Sequence, residues 1–198
     1  LWTGDFVTFR GKYYSLRAAN LYCRPSAPIP MYIAASGPRV AEVAGKCADG
    51  ILVGSADVEY IRGAVLPALD AGARLVGRDP NTIDKAVHFL VSYDEDLDRA
   101  IENSRIWAGS LLPAMFKYPI SNPKEIEKLA MLIGKESILK SWMISSDIRE
   151  HLDKARDLIK LGFNHISFSS LSPNQEKFIK VFGNSVLPEL RKEFAGDS

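Results

Sequence analysis

The sequence predicts an α/β fold, the carboxyl-terminal half of a (β/α)8 TIM barrel with an insertion before its last βα unit. Three observations carry this expectation. Short, nearly continuous apolar strands alternate with helical stretches, as a parallel sheet covered by helices requires. Four such βα units occur in 198 residues, whereas a complete barrel of about 250 residues has eight. The chain opens on Leu1-Trp2-Thr3-Gly4-Asp5, aromatic and without an initiator Met, so a piece of a longer protein is expected. An open doubly wound sheet is the alternative reading of the same units. The whole chain is expected to be one partial domain: hairpin and connector over 1–30, three βα units over 31–107, an insertion over 108–146, and a last helix-strand-helix over 147–198.

Each element has a local reason. Phe6–Leu16 places β-branched and aromatic residues on both sides of Arg10-Gly11-Lys12, a hairpin signal. Pro25–Pro30 (PSAPIP) is a stiff extended connector. The apolar strand Met31–Ala35 leads through Ser36-Gly37-Pro38 into a helix reaching about Ala48, and strand Gly50–Gly54 leads into a long helix from about Asp57 to Val76. Ala86–Tyr93 alternates through Val87, Phe89, Val91 and Tyr93, and a helix over Leu97–Trp107 follows. Ala108–Ser141 reads as irregular apart from a helix from Pro123 to about Ile133. The last unit is a helix from Asp147 to Leu161, a strand His165–Ser169 and a closing helix Gln175–Phe194. Pro38, Pro123 and Pro173 fall at or just before helix starts, where the missing N–H costs nothing. Asp57, Asp94 and Asp147 are expected N-caps, and Gly162 the left-handed stop. The units share the βα pattern and no further similarity.

Composition limits the function classes. The hydrophobic fraction is 46% and the charged fraction 25%, as in an ordinary globule. A net charge of +1 without a basic block gives no electrostatic support for nucleic-acid or membrane-surface binding. No apolar run reaches the roughly 18–20 residues of a membrane span. Cys23 and Cys47, without CxxC spacing, read as free thiols of a cytoplasmic protein. No His/Cys/carboxylate cluster has metal-ligand spacing.

In either architecture ligands bind beyond the carboxyl ends of the strands. Those ends read Ala35-Ser36-Gly37, Gly54-Ser55, Ser92-Tyr93 and Ser169-Ser170. They are small and hydroxylated, which leaves room for a flat ligand and offers hydrogen bonds to its edges. The Ser36-Gly37-Pro38 corner is the sharpest feature. Gly37 permits close backbone approach, Pro38 presets the first helical turn, and the free amides that follow favour an anion beside Arg39. A plain strand-to-helix turn is the competing reading, and the absence of GxGxxG excludes a Rossmann fingerprint. Of the three histidines, His165 reads as structural, His151 as a solvated helix residue, and His88 as a core residue with a possible view of the barrel interior. Asp94-Glu95-Asp96 reads as a charge run at a helix start. Trp107 and Trp142 flank the insertion as core or as pocket wall.

The corner MYIAASGPRV, the strand approach AGKCADG, and the later KAVHFLVSYD, RIWA, SWMISSD, LGFNHISF, SPNQEKFI and VLPEL together resemble the bacterial-luciferase-like superfamily. Within it they are most similar to the carboxyl-terminal part of the glucose-6-phosphate dehydrogenase-like oxidoreductases that use the deazaflavin coenzyme F420. The resemblance implies a (β/α)8 barrel with hydride transfer between an alcohol carbon and the deazaflavin. It implies cofactor contacts from Ser36, Gly37, Arg39 and Val40. Members acting on glucose 6-phosphate hold the phosphate with two lysines, an arginine and a threonine. Here Lys117 matches one lysine, the second falls near Asp57, the arginine at Ser141 beside Lys140, and the threonine at Gly54. Substrate contacts are thus implied for Gly54, Lys117 and Ser141, and a carboxylate at 57 disfavours a phosphate dianion. The family's catalytic His and Glu lie on earlier strands, so none is expected in this chain, and the fragment alone is expected to be inactive. FMN is the alternative cofactor. The alternative functions are an FMN-dependent monooxygenase, a methylene-tetrahydromethanopterin reductase, or a non-catalytic half-barrel binding module. The expected partner is a small-molecule substrate, with homodimerisation of the full-length protein.

Overall fold

The computed structural model describes residues 1–2, 4–54, 57–112 and 117–194. They form two compact units, Leu1–Met31 and Tyr32–Ser198.

The first unit is an antiparallel hairpin of β1 (Val7–Arg10) and β2 (Ser15–Ala19), with Phe9 opposite Leu16 and a bulge between Val7 and Phe9. Its turn closes through the Gly11 amide on the Tyr14 carbonyl at 2.9 Å. A Cβ at Gly11 would stand 2.9 Å from the Tyr14 carbonyl oxygen and 2.7 Å from the Phe9 ring, so close approach favours glycine there. Phe9, Tyr13 and Tyr14 are exposed.

The second unit is built on a parallel sheet: β3 (Tyr32–Ala34), β4 (Gly50–Val53), β5 (Asp84–Tyr93), β6 (Met143–Ser145) and β7 (His165–Ser170). β5 is the axis. Ala86 and Val87 are flanked by β4 and β7, and Val91 by β6 and β7. β4 and β6 therefore share one edge of β5, and β3-β4-β5-β7 run side by side in chain order. This is the all-parallel, sequential order of half a (β/α)8 barrel, with β6 added where β4 ends.

The helices are α1 (Pro38–Cys47), α2 (Val58–Tyr60, Ile61–Val65 and Leu66–Leu75 in one run), α3 (Leu97–Ser104), α4 (Pro123–Ala130), α5 (Lys135–Ser141), α6 (Ile148–Lys160) and α7 (Gln175–Val181, Phe182–Val186 and Leu187–Phe194 in one run). Asp57 and Asp147 cap α2 and α6 as the sequence suggests. Asp94 does not cap α3; Asp96 does, accepting from the Asp98 and Arg99 amides at 2.9 and 3.3 Å. Asp94 is turned inward to two cations instead. The described residues of 108–141 are more ordered than the sequence suggests. They continue α3 as a 3-10 segment, Arg105–Leu111, and contain α5 as well as α4.

The units also share more than the βα pattern. α2 and α7 each widen into a π-helical turn that ends at Val-Leu-Pro, with Leu66 N–H on the Ile61 carbonyl and Leu187 N–H on the Phe182 carbonyl. The next residue is Pro67 or Pro188, whose missing N–H and bulky ring would otherwise disrupt the preceding turn. The widened turn absorbs the proline and keeps both helices continuous. Val65 and Val186 are both buried in it.

The main core lies between the sheet and α1, α2, α6 and α7, and includes Ile51, Val53, Val87, Phe89, Val91, Leu69, Leu158 and Val186. α1 and α2 approach so closely that a Cβ at Gly45 would stand 2.1 Å from the Leu69 carbonyl oxygen, and one at Gly72 2.0 Å from that of Glu42. Glycine in a helix interior costs about 1 kcal/mol relative to alanine, and this contact is what it permits. A second core joins Ile101, Ala108, Ala130, Ile138, Trp142 and Leu171, with Leu90 and Ile144 against it. Leu90 alternates with the Phe89 and Val91 of the main core, so the insertion covers the opposite face of the sheet at its carboxyl end. Arg156 locks α6 to α7 through Glu189 and Glu193, at 2.5 and 2.7 Å.

Candidate functional site

The carboxyl end of the sheet begins at the corner after β3. The Ala35 amide still bonds the Leu52 carbonyl at 2.9 Å, after which the chain turns into α1. Gly37 is the N-cap in extended backbone (φ −164°), which any residue adopts, and a Cβ there would meet only the Tyr60 hydroxyl, at 3.5 Å. The absence of a side chain leaves the corner open. The amides of Arg39 and Val40 belong to the first turn and have no intrahelical acceptor. Ser36, Arg39 and Val40 are exposed. The Tyr60 hydroxyl donates to the Ser36 carbonyl at 3.3 Å, while the Asp57 carboxylate accepts from the Tyr60 amide at 2.9 Å. α2 thus braces the corner from the neighbouring unit. A positive helix end with an adjacent guanidinium is able to receive an anionic group.

Strand register extends the site inward. On the face opposite the main core, His88 pairs with Ser167 and Leu90 with Ser169. Val53 pairs with Val87, so the next residue, Gly54, falls beside His88. Ala34 pairs with Leu52, so Ser36 falls beside Gly54 in the same way. Ser36, Gly54, His88 and Ser167 thus form one cross-strand row. Below it lies the row Ala34, Leu52, Ala86 and His165. A Cβ at Gly54 would meet nothing within 4 Å. Small residues thus follow the ends of β3 and β4, and continuing the register places Ser36 and Gly54 on one row. His88 joins them, a placement that alternation alone could not give because it depends on which residues lie alongside. Ser55 lies outside the described residues.

Ser141 ends α5, and β6 starts at Met143 opposite Val91, on the same edge of β5 that β4 leaves at Val87. Ser141 lies two residues before β6, and no strand pairing or contact among the described residues joins it to Gly54. Lys117 is exposed, and no contact among the described residues joins it to Gly54 or Ser141. The two tryptophans divide. Trp142 is buried in the second core, whereas Trp107 is 53% exposed. The Trp107 indole N–H donates to the Leu171 carbonyl at 3.1 Å, which fixes its ring beyond the end of β7.

Beyond β5 the charges are paired. Lys177 reaches Asp94 at 3.1 Å and also Glu95, Arg99 reaches Asp94 at 3.1 Å, and Lys177 lies over the Tyr93 ring. Burial opposes the charge of Asp94, but the Asp96 amide, Lys177 and Arg99 outweigh it and hold its carboxyl below the ordinary range. Lys177 likewise holds Glu95 down and is itself held protonated by Glu95. This cluster ties the end of β5 to α7 and leaves little net charge.

His151 is not solvated, contrary to the sequence reading. It is fully buried on α6, edge-on to Phe182 at 5.4 Å and to Tyr93 at 6.2 Å between ring centroids. Neither ring nitrogen has a hydrogen-bond partner. Desolvation lowers its pKa to about 4, with the Ser145 backbone the main opposing influence but short of hydrogen-bond geometry. The sequence signal was present: 151 lies between the Ile148 and Leu152 of the apolar stripe. Among the described residues no cluster of His, Cys, Asp and Glu could hold a metal ion, and no helix is long and apolar enough to cross a membrane. Cys23 and Cys47 are free and exposed.

Known proteins match this architecture. The chain is 38% identical over 193 residues to the F420-dependent glucose-6-phosphate dehydrogenase of Mycolicibacterium gilvum (strain PYR-GCK), covering 97% of this chain and 57% of that protein. It is 38% identical over 196 residues to the enzyme of the same name from Microbacterium testaceum (strain StLB037), covering 98% and 58%. The chain thus spans somewhat over half the length of these relatives. Among solved structures, an F420-dependent secondary alcohol dehydrogenase in complex with an F420-acetone adduct superposes with a TM-score of 0.85 at 33% identity, over 96% of this chain and 58% of that one. The coenzyme F420 dependent tetrahydromethanopterin reductase from Methanopyrus kandleri gives 0.72 at 27% identity, over 94% and 58%. The sequence profile described as luciferase-like monooxygenase matches residues 1–165. With its parallel half-barrel sheet and the open corner after β3, the chain belongs to the luciferase-like monooxygenase family.

Proposed function

We propose that the chain is part of an F420-dependent oxidoreductase that transfers hydride between an alcohol or carbonyl substrate and the deazaflavin. The observation that carries this reading is the similarity, along 96% of the chain, to the F420-dependent secondary alcohol dehydrogenase. The site is compatible with the group. The open corner at Gly37 and the free amides of Arg39 and Val40 suit the charged tail of the cofactor. Ser36, Gly54 and Ser167 leave room for a flat ring beside His88. When bound, the deazaflavin supplies the hydride acceptor or donor. Arg39 neutralises tail charge, Ser36 and Gly37 shape the corner, and Trp107 walls the space beyond β7.

The substrate is an alcohol or ketone other than a sugar phosphate. Of the implied phosphate contacts only Lys117 carries positive charge, while Gly54 and Ser141 are uncharged. Asp57, which caps α2 next to the corner, repels a dianion. The same reading makes the full-length protein a cytoplasmic homodimer, which light scattering and cell fractionation test.

The deciding experiment is a fluorescence titration of the full-length protein with coenzyme F420 and with FMN, followed by reduction with 2-propanol and with glucose 6-phosphate. Tight F420 binding with reduction by the neutral alcohol is expected. Preferential FMN binding with oxygen consumption would overturn the reading in favour of a monooxygenase.

A further inference from the structure

We propose that His88 is a substrate-contacting residue that hydrogen-bonds a neutral hydroxyl or carbonyl group of the bound molecule. The inference rests on the functional reading above and adds a specificity-determining residue to it. His88 lies mid-strand on β5, the one strand bonded to β4, β6 and β7. Its neighbours Val87 and Phe89 enter the main core, so the pleat turns His88 to the opposite face. There it stands between Gly54, which has no side chain, and Ser167, which is small and exposed. The imidazole is therefore the one large polar group of its row.

Neither ring nitrogen of His88 has a partner among the described residues, and neither is sealed from solvent as those of His151 are. The other two histidines have different surroundings. His151 is buried beneath Tyr93, and His165, one row nearer the amino end, stands edge-on to the Tyr32 ring. No fixed charge lies in the row Ser36, Gly54, His88 and Ser167, and the cations beyond β5 are engaged by Asp94 and Glu95. A neutral imidazole offers one donor and one acceptor. A hydroxyl answers both and a carbonyl answers the donor, without requiring compensating charge, whereas a phosphate does not.

Carbethoxylation of the full chain with diethyl pyrocarbonate, read residue by residue by mass spectrometry, tests this. His88 should react in the free protein and be protected at least about fivefold by F420 with 2-propanol, while His165 stays reactive. His88→Phe should raise the KM for 2-propanol about tenfold with F420 affinity unchanged, and His88→Asn, which keeps a donor and an acceptor, should recover most of it. Equal reactivity of His88 with and without ligands, or wild-type KM in His88→Phe, overturns the proposal. If F420 does not bind, the functional reading fails separately. The protection assay with FMN and 2-propanol together then still decides, because a His88 left unprotected by that pair refutes substrate contact.

Discussion

The two ends of the parallel sheet are built differently. At the amino end, the Tyr32 hydroxyl donates to Asp84 at 2.6 Å and the Asn164 amide donates to the other Asp84 oxygen at 3.0 Å. Tyr32 crosses β4 over Gly50, where a Cβ would stand 2.4 Å from its ring. One carboxylate thus ties together the starts of β3, β5 and β7, and the Tyr32 and Asn164 hydrogen bonds hold its pKa below the ordinary range. Toward the carboxyl end one row holds Ser36, Gly54, His88 and Ser167, and the His88 ring nitrogens have no partner among the described residues, although beyond β5 Lys177 and Arg99 are paired with Asp94 and Glu95. A satisfied polar network at one end fixes strand register. Leaving His88 without a partner in the open row at the other end costs stability and provides a place to bind. The division matches that between the stability and active faces of βα barrels.

That division can be broken most forcefully at His151, the buried polar group beneath the carboxyl end. Its folded pKa of about 4 lies below the ordinary 6.5. Below pH 6.5 the unfolded chain takes up a proton that the folded chain refuses until about pH 4. Stability is therefore full above pH 6.5 and falls as pH drops through this window, by about 3 kcal/mol. Urea unfolding across the window should show that slope, and His151→Leu should flatten it.

A smaller loss tests the amino end alone. Gly50→Ala forces Tyr32 aside and should cost about 2 kcal/mol in denaturant unfolding, with F420 affinity unchanged. Tyr32→Phe keeps the ring but removes the bond to Asp84, so it should lower Tm by less than Gly50→Ala. The smallest effect belongs to the corner. Arg39→Ala should weaken F420 binding about threefold by fluorescence titration, with Tm unchanged. If Arg39→Ala lowered Tm or Gly50→Ala weakened binding, the two ends would not be separable.

Much of this was legible in residue order. The corner after β3 was readable because Pro38 marks a helix start and Gly37 precedes it. Asp57 and Asp147 were readable as caps because a short carboxylate before a helical run has one favourable use. Asp94 misled for the same reason: three carboxylates in a row each look like a cap, and only the backbone path selects Asp96. The short β6 was hidden because Met143–Ser145 has too few residues to show a period. His151 was misjudged because its neighbours Glu150 and Asp153 suggested a solvated face.

The sequence by itself determined the main βα alternation, most helix starts, the corner residues and the α/β class. These follow from local propensity and periodicity, which act over a few residues. Tertiary structure alone decided that Ser36, Gly54, His88 and Ser167 share a row, that Tyr32 reaches Asp84, and that Gly45 and Gly72 admit a close helix pair. Those outcomes depend on register between segments distant in the chain, and register is set by packing the whole core at once.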